Sequence, residues 1–434
     1  MIKVDEFKKR RKQIAKFIGE NSIAILKAKD VCLRNGDADY KYRPDSYFYY
    51  WTGCHEPHSL LVICPENEDG DDILFCREVD PLNVIWNGPM LGLDDAKSKL
   101  QFDNAYDIKT VDSIIPKLMT GRDKVYFMLG TDSEFDKKVV QWTNSVTKEK
   151  WSNSQAPHEL VSIKSYLDDM RVYKSKAEIK CMKQSADIAA EAHIEMMKSC
   201  KPGMYEYNLN AEFMRTLCNH NSNPSYQPIV GSGANACILH YVNNNSEMKD
   251  GDLVLIDAGS EYDYYASDIT RTFPVNGKFS KAQTEIYQIV LDAHAAALEA
   301  VKPGSHWNEP HEAAVKVISQ GLLDLGLLKG DLNTVLEEHS YHQFFMHKTG
   351  HWLGLDVHDC GEYRVDGLWV EMEEGMVLTI EPGIYIAEDA KVPEKYKGIG
   401  VRIEDDVLVT KKGYQILSDK VPRTISEIEQ LMAE

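Results

Sequence analysis

Four acidic residues in the second half of the chain lie within or directly after short apolar runs. Asp257 and Glu381 each end such a run, and Asp268 and Glu404 lie inside similar ones. An unpaired buried carboxylate costs several kcal/mol, and neighbouring carboxylates repel each other unless a cation or a shared proton separates them. Taken singly, each would more often be a surface or capping residue. Taken together, the four are candidate metal ligands.

The turn between the first two acids predicts that they meet. Apolar runs on both sides of Tyr262 and Asp263 are typical of a β-hairpin. If the hairpin is symmetric about that turn, Asp257 and Asp268 face each other directly, with Cβ atoms about 5 Å apart. Such a pair needs cations or a shared proton.

A histidine-rich segment supplies the nitrogen ligand of the predicted site. It holds His347, His351 and His358. The four carboxylates and His351 together match the needs of two divalent ions. The four negative charges balance the four positive charges of the two ions and leave room for a bridging hydroxide as the nucleophile. One imidazole among oxygen donors favours Mn²⁺, with Co²⁺ or Zn²⁺ as the alternatives, over a zinc site built from thiolates.

Other catalytic motifs match the chain less well. Gly231, Gly233 and Ala236 follow the dinucleotide-binding pattern G-x-G-x-x-A, and Asp257 comes about 20 residues later, as that site requires. We expect no helix after these glycines, because the segment 237–242 is rich in β-forming residues and a run of asparagines follows it. The sequence has no G-x-S-x-G, H-E-x-x-H or Walker A motif.

Two long helices with matching ends predict an internal duplication. The segment 175–178 is a capping-box signature, followed by apolar residues at helical spacing and a stop at 201–203. The segment 280–283 begins a second such helix, which ends at 302–304, so the pattern repeats after roughly a hundred residues. Four further runs predict the strands that carry the acids, namely 253–258, 264–273, 376–380 and 400–409. We therefore predict a duplicated domain over 171–434, after an α/β domain over 1–170.

The composition is that of an ordinary globular protein. The chain has 434 residues, of which 43% are hydrophobic and 27% charged, which is enough for two cores. The net charge of −19 argues against nucleic acid and anionic membranes as partners, because both require a positive surface. We expect neither a signal peptide nor a transmembrane helix. Nine cysteines without C-x-x-C spacing argue against a disulfide framework, so the expected compartment is the cytoplasm.

The segments around the candidate ligands resemble those of the pita-bread metallopeptidases, and in particular the bacterial-type aminopeptidase P family. The resemblance covers nearly the whole chain and rests on the segments 42–53, 256–259, 267–271, 351–358, 379–383 and 401–406. It implies an α+β fold, with a pita-bread (creatinase/aminopeptidase-like) catalytic domain that has a pseudo-twofold internal duplication and follows a smaller α/β N-terminal domain. The implied activity is hydrolysis of the bond between an N-terminal residue and a following proline in peptides.

The resemblance also implies how the ligands divide between two metals. Asp268 and Glu404 would bridge both ions. Asp257 would complete the coordination of one ion, and His351 with Glu381 that of the other. The bridging hydroxide would attack the carbonyl carbon of the first residue, and Glu381 would carry its proton towards the departing proline nitrogen.

Further residues match family positions near the metals or the substrate. By that resemblance, His240 and His358 would steady the tetrahedral intermediate, and Tyr226 would lie near the metals. Trp86 matches a tryptophan that, in the family's tetramer, reaches towards a neighbouring active site. Without the resemblance, His240 would be interpreted as a core histidine and Trp86 as a core residue at even odds.

The proline pocket is implied in the same way. Arg402 has the same strand parity as Glu404, so both side chains should point to one face. Arg402 resembles the family's substrate-side arginine, which would shape the proline pocket together with His347 and Tyr385.

Two departures from the family pattern leave the assembly and the substrate length open. The loop 363–369 does not follow the family's arginine pattern, and Lys164 stands where an arginine is expected. We expect a homo-oligomer, either a dimer or a tetramer. The alternatives to an Xaa-Pro aminopeptidase are a prolidase, which has the same ligands but prefers dipeptides, and a pita-bread binding protein that has lost catalysis.

Overall fold

The computed structural model describes residues 1–146 and 155–434. The described chain divides into two compact units, Ile2–Met170 and Arg171–Glu434, and Met1 is grouped with the second. Within the described ranges, no helix combines the length and the apolar character needed to cross a membrane.

The N-terminal unit is built on a mixed sheet. Its strands are β1 (Ser22–Lys27), β2 (Leu33–Asn35), β3 (Ala38–Asp39), β4 (Leu60–Ile63), β5 (Asp72–Cys76), β6 (Asn104–Asp107), β7 (Lys124–Phe127) and β8 (Glu159–Ser162). The helices of this part are α1 (Val4–Ile18), α2 (Ser46–Thr52), α3 (Pro81–Asn87), α4 (Gly92–Ser98), α5 (Val111–Met119), α6 (Ser133–Val146) and α7 (Lys164–Val172). The six-stranded sheet has the order β6-β5-β4-β1-β7-β8, while β2 and β3 form a separate hairpin. Strands β1, β4 and β5 are almost wholly buried, so this unit has its own apolar core.

The C-terminal unit combines long helices with small antiparallel sheets. Its helices are α8 (Lys176–Ser199), α9 (Glu206–Asn219), α10 (Lys281–Ala300), α11 (Glu309–Asp324), α12 (Leu332–Glu337) and α13 (Ile425–Met432). Its strands are β9 (Asn223–Pro224), β10 (Ile229–Ser232), β11 (Leu253–Asp257), β12 (Ser260–Tyr262), β13 (Tyr265–Ala266), β14 (Thr270–Pro274), β15 (Arg364–Val365), β16 (Leu368–Trp369), β17 (Val377–Ile380), β18 (Gly383–Ile386), β19 (Ile399–Arg402), β20 (Asp405–Thr410) and β21 (Gly413–Ile416). The sheets are β10-β11-β14, β13-β12-β9, β17-β20-β21, β18-β19 and β15-β16.

The two capped helices are confirmed. Ser175 and Ser280 cap α8 and α10, and in each capping box the third helical residue, Glu178 or Gln283, bonds back to the cap backbone. Both helices end just before the predicted Pro-Gly stops. Their apolar faces are buried in one core with β11, β14, β17 and β20. Each half of this unit therefore pairs a long capped helix with a three-stranded antiparallel sheet.

Two of the predicted strands are interrupted where the acids lie. The run 264–273 divides into β13 and β14, and the run 400–409 divides into β19 and β20. Buried backbone groups need partners, and in the breaks these come from the opposite half. The Asp268 N–H donates to the Asp406 carboxylate, and the Glu404 N–H donates to the Thr270 carbonyl oxygen. The prediction of continuous strands is therefore wrong at Asp268 and Glu404.

The segment after Gly231 also differs from its prediction. A 3₁₀ helix, Gly233–Cys237, follows β10, and residues 238–245 belong to no strand, so the expected β structure is absent there. Ser232 and Asn235 donate hydrogen bonds to the Glu206 carboxylate instead of to a neighbouring strand. A single 3₁₀ segment is too short to act as the phosphate-binding helix of a dinucleotide site.

Candidate metal centre and active site

The first half of the C-terminal unit contributes two carboxylates, but not as a symmetric hairpin. Asp257 ends β11 and lies opposite Thr270 of β14, so the expected direct pairing with Asp268 is wrong. At Gly259 the backbone passes so close to Ser267 that an added Cβ would lie 1.8 Å from the Ser267 carbonyl oxygen. The short β12–β13 hairpin is inserted there instead.

Tyr226 joins these two carboxylates. Its hydroxyl oxygen lies 2.5 Å from Asp257 Oδ1 and 2.6 Å from Asp268 Oδ1, so one proton serves both groups. Burial raises the pKa of Tyr226 well above its usual value, and the two carboxylates raise it further. The tyrosine therefore stays a donor, in agreement with the expectation that it lies near the candidate ligands.

The second half contributes two glutamates. Glu381 follows β17, and its N–H donates to the Thr349 carbonyl oxygen at 2.8 Å. Glu404 lies in the break before β20, where Thr270 Oγ1 donates to Glu404 Oε2 at 2.6 Å. A residue of the first half thereby orients a candidate ligand of the second half.

His351 presents one nitrogen to the carboxylates. Its Nδ1 lies 2.9 Å from the Trp352 carbonyl oxygen, which can only accept, so Nδ1 carries the proton in the neutral ring. Its Nε2 lies 3.4 Å from Asp268 Oδ2 and 3.9 Å from Glu381 Oε1. Ligand atoms of Asp268, His351 and Glu404 all lie within 4.8 Å of one another, a grouping suited to a metal ion. Asp257 and Glu381 flank this group of three.

The electrostatics of the cluster favour bound cations. Burial raises the pKa of Glu381 to about 7, and the carboxylates of Asp268 and Asp257 add to the shift. Burial also raises the pKa of Glu404 well above its usual value, again with Asp268 contributing. Such crowded carboxylates are costly to ionise unless positive charge lies between them. The donor set therefore fits divalent ions.

In the metal-free protein, a proton on His351 supplies part of the positive charge that the crowded carboxylates need. Burial alone would lower the pKa of His351, but the hydrogen bond to Asp268 and the charge of Glu381 outweigh it and raise the pKa to about 9. For Asp268, burial is likewise outweighed by His351, so the pKa of Asp268 is lowered. A metal at Nε2 must displace this proton, which makes metal binding pH-dependent.

Arg402, Tyr385 and His347 form a hydrogen-bonded chain beside the carboxylates. Arg402 donates to Asp257 Oδ2 at 2.5 Å and to the Tyr385 hydroxyl at 3.0 Å. Tyr385 then donates to His347 Nε2 at 2.8 Å, because His347 Nδ1 donates to the Lys348 carbonyl oxygen at 2.7 Å. Burial lowers the pKa of His347 to about 3, and the Arg402 charge adds to this, so the ring is neutral.

His240 and His358, the other two histidines predicted to act in catalysis, lie on exposed loop positions. The ring centroids of His358 and His351 are 4.3 Å apart, and partial desolvation of the ring on its inner side, together with the charge of His351, lowers the pKa of His358. His240 is exposed, which rules out the alternative of a core histidine.

Trp86 belongs to the N-terminal unit, on α3. It is 83% exposed, and no residue of α3 is buried, so the alternative of core packing for Trp86 is wrong. The two departures from the family pattern are both ordered. Lys164 pairs with Asp168 at 2.5 Å, and the segment 363–369 forms the β15–β16 hairpin, with Arg364 stacked 3.7 Å over the Trp369 ring.

Two residues that orient the cluster were not predicted from the sequence. Thr270 accepts a hydrogen bond from Arg402 Nε at 3.1 Å while donating to Glu404. The buried Asp406 carboxylate accepts the Asp268 N–H at 3.0 Å. A second acid two residues after Glu404 was a signal for Asp406, but nothing in the sequence distinguished Thr270 from other strand threonines.

Comparisons with known proteins show which family the chain belongs to. Residues 180–411 match the model of metallopeptidase family M24, and residues 7–126 match that of the aminopeptidase P N-terminal domain. The chain is 43% identical over 429 residues to the Xaa-Pro aminopeptidase of Haemophilus influenzae, covering 99% of this chain and 97% of that protein. It is also 43% identical to the Xaa-Pro aminopeptidase of Escherichia coli, covering 98% and 97% of the two chains.

Solved structures give the same result at the level of the fold. Pseudomonas aeruginosa aminopeptidase PepP matches with a TM-score of 0.98 and 48% identity, covering 100% of this chain and 98% of that chain. Zinc-substituted Escherichia coli aminopeptidase P in complex with product matches with a TM-score of 0.96 and 42% identity, with the same coverage. The expected α+β pita-bread domain after a smaller N-terminal domain is therefore confirmed. This chain belongs to metallopeptidase family M24 and, within that family, to the Xaa-Pro aminopeptidases.

Proposed function

We propose that this protein hydrolyses the bond between the N-terminal residue of a peptide and a proline at the second position. The observation that carries the proposal is the convergence of candidate metal ligands from both halves of the C-terminal unit, namely Asp257, Asp268, His351, Glu381 and Glu404. Its relatives of 43% identity carry the name Xaa-Pro aminopeptidase, which favours this activity over the prolidase alternative.

As a member of this metallopeptidase family, the chain uses divalent metal. We propose two Mn²⁺ ions held by these five residues, because one imidazole among carboxylates is a hard donor set. Such a pair of ions supplies hydroxide as a nucleophile at neutral pH. The zinc-substituted relative makes Zn²⁺ a natural alternative to test.

We assign proton transfer to Glu381. Its carboxylate lies among the candidate ligand atoms, 3.9 Å from His351 Nε2, where it can accept a proton from the nucleophile and return it. The departing group is the proline nitrogen, a secondary amine that must be protonated to leave. Glu381 delivers that proton, while His240 and His358 donate hydrogen bonds to the carbonyl oxygen as negative charge develops there.

We propose that the chain of Arg402, Tyr385 and His347 forms the proline pocket. Arg402 holds the Tyr385 hydroxyl, and Tyr385 in turn fixes the His347 ring. Two rigid aromatic faces suit the flat, apolar pyrrolidine ring, which has no N–H to satisfy.

A peptide panel tests the activity. The Mn²⁺-loaded protein should release free alanine from Ala-Pro-Ala faster than from Ala-Pro, and should leave Ala-Ala-Ala uncleaved. Dominant cleavage of Ala-Pro would favour the prolidase alternative. Tight binding of Ala-Pro-Ala without turnover would identify a binding protein that has lost catalysis.

We further propose a cytoplasmic homo-oligomer, with folding domains at 1–170 and 171–434. All nine cysteines are free, as is usual in a reducing compartment. The apolar side chains of Leu82, Ile85 and Trp86 on α3 are exposed, and an exposed apolar patch commonly marks a protein interface.

A further inference from the structure

The Glu206 carboxylate lies fully buried at the start of α9 and accepts five hydrogen bonds. Oε1 accepts from the Ser232 N–H, the Ser232 hydroxyl and the Asn235 amide at 2.8, 2.9 and 3.0 Å. Oε2 accepts from the Tyr241 hydroxyl at 2.8 Å and from the Ser246 N–H at 2.9 Å. These donors compensate for the loss of water around a buried carboxylate.

All five donors come from one segment, 232–246. Their hydrogen bonds connect both ends of the segment, and Tyr241 in its middle, to the Glu206 carboxylate. Residues 238–245 of this segment belong to no strand, so no ladder of backbone hydrogen bonds holds them. A second anchor lies at Asn244, whose side chain bonds to the backbone of Val230 and Pro228. The loop between these anchors depends on side chains for its shape.

His240 directly precedes the anchored Tyr241. In the part of the chain that the structure describes, the His240 ring is exposed and has no hydrogen-bond partner of its own. Its position is therefore set by the backbone on either side. We propose that Glu206 is a positioning residue for His240, because its carboxylate fixes the loop that presents this imidazole to the substrate. The inference rests on the proposed function, in which His240 contacts the reacting carbonyl group.

The first test is kinetic. Glu206→Gln replaces one acceptor oxygen with an NH₂ group that faces donors, so the loop should shift. With Ala-Pro-Ala and the Mn²⁺-loaded full chain, kcat should fall on the order of 10²-fold, the loss expected for a misplacement of about 1 Å. Metal content should stay at the wild-type value. Tyr241→Phe removes one of the five hydrogen bonds to Glu206 and should give a smaller fall in kcat. This variant replaces Glu206→Gln in the test if Glu206→Gln folds poorly.

A double-mutant cycle separates positioning from general stability. If Glu206 acts through His240, Glu206→Gln should cost little further activity in the His240→Ala background. Glu178→Gln is the matched control, since Glu178 is also a buried carboxylate near a helix start that accepts from a tyrosine, Tyr265, at 3.0 Å. Glu178→Gln should leave kcat near wild type. Equal fold-losses for Glu206→Gln in both backgrounds, or an unchanged kcat in His240→Ala, would overturn the proposal.

Hydrogen exchange distinguishes failure of this inference from failure of the proposed function. Amides of residues 238–246 should exchange faster in Glu206→Gln and should be unchanged in Glu178→Gln, whatever the substrate. Unchanged exchange in Glu206→Gln would overturn the loop anchor. Faster exchange in a protein whose wild type releases no alanine from Ala-Pro-Ala would instead overturn the proposed function, and with it the catalytic consequence of the anchor.

Discussion

We propose that single residues of the candidate metal centre divide into groups that hold a cation and groups that contact only the substrate. Glu381 Oε1 lies 3.9 Å from His351 Nε2, among the candidate ligand atoms. We predict that Glu381→Ala abolishes turnover, with a loss of at least about 10³-fold, and weakens one of the two metals. His358→Ala should lower kcat with the metal retained. Steady-state kinetics and metal analysis test both variants, and equal metal loss in the two would contradict this division.

Glu381 and His351 also make the stability of the metal-free protein depend on pH. The pKa of Glu381 is raised from 4.5 to about 7 by burial, and that of His351 from 6.5 to about 9 where Asp268 and Glu381 outweigh burial. A group whose pKa is raised on folding stabilises the fold below its unfolded pKa and loses that contribution as the pH rises through the folded value. Each pKa unit corresponds to about 1.4 kcal/mol. The metal-free protein should therefore lose stability from about pH 4.5 to 9, through Glu381 up to about pH 7 and through His351 from about pH 6.5 to 9.

Thermal unfolding of chelator-treated protein measures this effect. Its Tm should fall over that range, whereas Mn²⁺-loaded protein should fall less, because a metal needs the deprotonated ligands. Metal-free Glu381→Ala is the control and should lack the part of the pH dependence near 7. A metal-free wild-type Tm that stays constant or rises would contradict the assignment.

At the scale of elements, the sequence predicted the parts that depend on local signals. The capping boxes at Ser175 and Ser280 predicted where α8 and α10 begin, because the bonds they report lie within four residues. The strand breaks at Asp268 and Glu404 could not be predicted in this way. Their backbone partners, Asp406 and Thr270, are more than a hundred residues away in the chain. The candidate ligand residues could thus be predicted from the sequence, but the geometry that joins them could not.

The first of these breaks gives a prediction about Gly259. An added Cβ would lie 1.8 Å from the Ser267 carbonyl oxygen, so Gly259→Ala should displace the segment that carries Asp268. We expect a loss of stability on the order of 2 kcal/mol together with weaker metal binding. Gly251→Ala is the control, because its Cβ would meet open space at φ +87 and should cost only about 1 kcal/mol of backbone strain, with the metal retained. Equal metal content in both variants would contradict the prediction.

At the scale of the whole molecule, composition indicated room for two cores, and the described chain has a separate apolar core in each of its two compact units. The exposure of α3 was not predictable in the same way. Its apolar residues have the composition of a buried helix, and only the structure shows that none of them is fully buried among the described residues. Water contact with such a surface is costly, so the surface itself argues for assembly.

Ile85 and Trp86 on α3 are 78% and 83% exposed, and a second copy of the chain would remove them from water. Ile85→Ser and Trp86→Ser should therefore shift the proposed homo-oligomer towards the 49.3 kDa chain, as measured by light scattering at matched concentrations. Leu33→Ser, at a position 65% exposed on β2, is the control and should leave the mass unchanged. A wild-type mass of one chain, or an unchanged oligomer in both α3 variants, would show that this surface does not hold the subunits together.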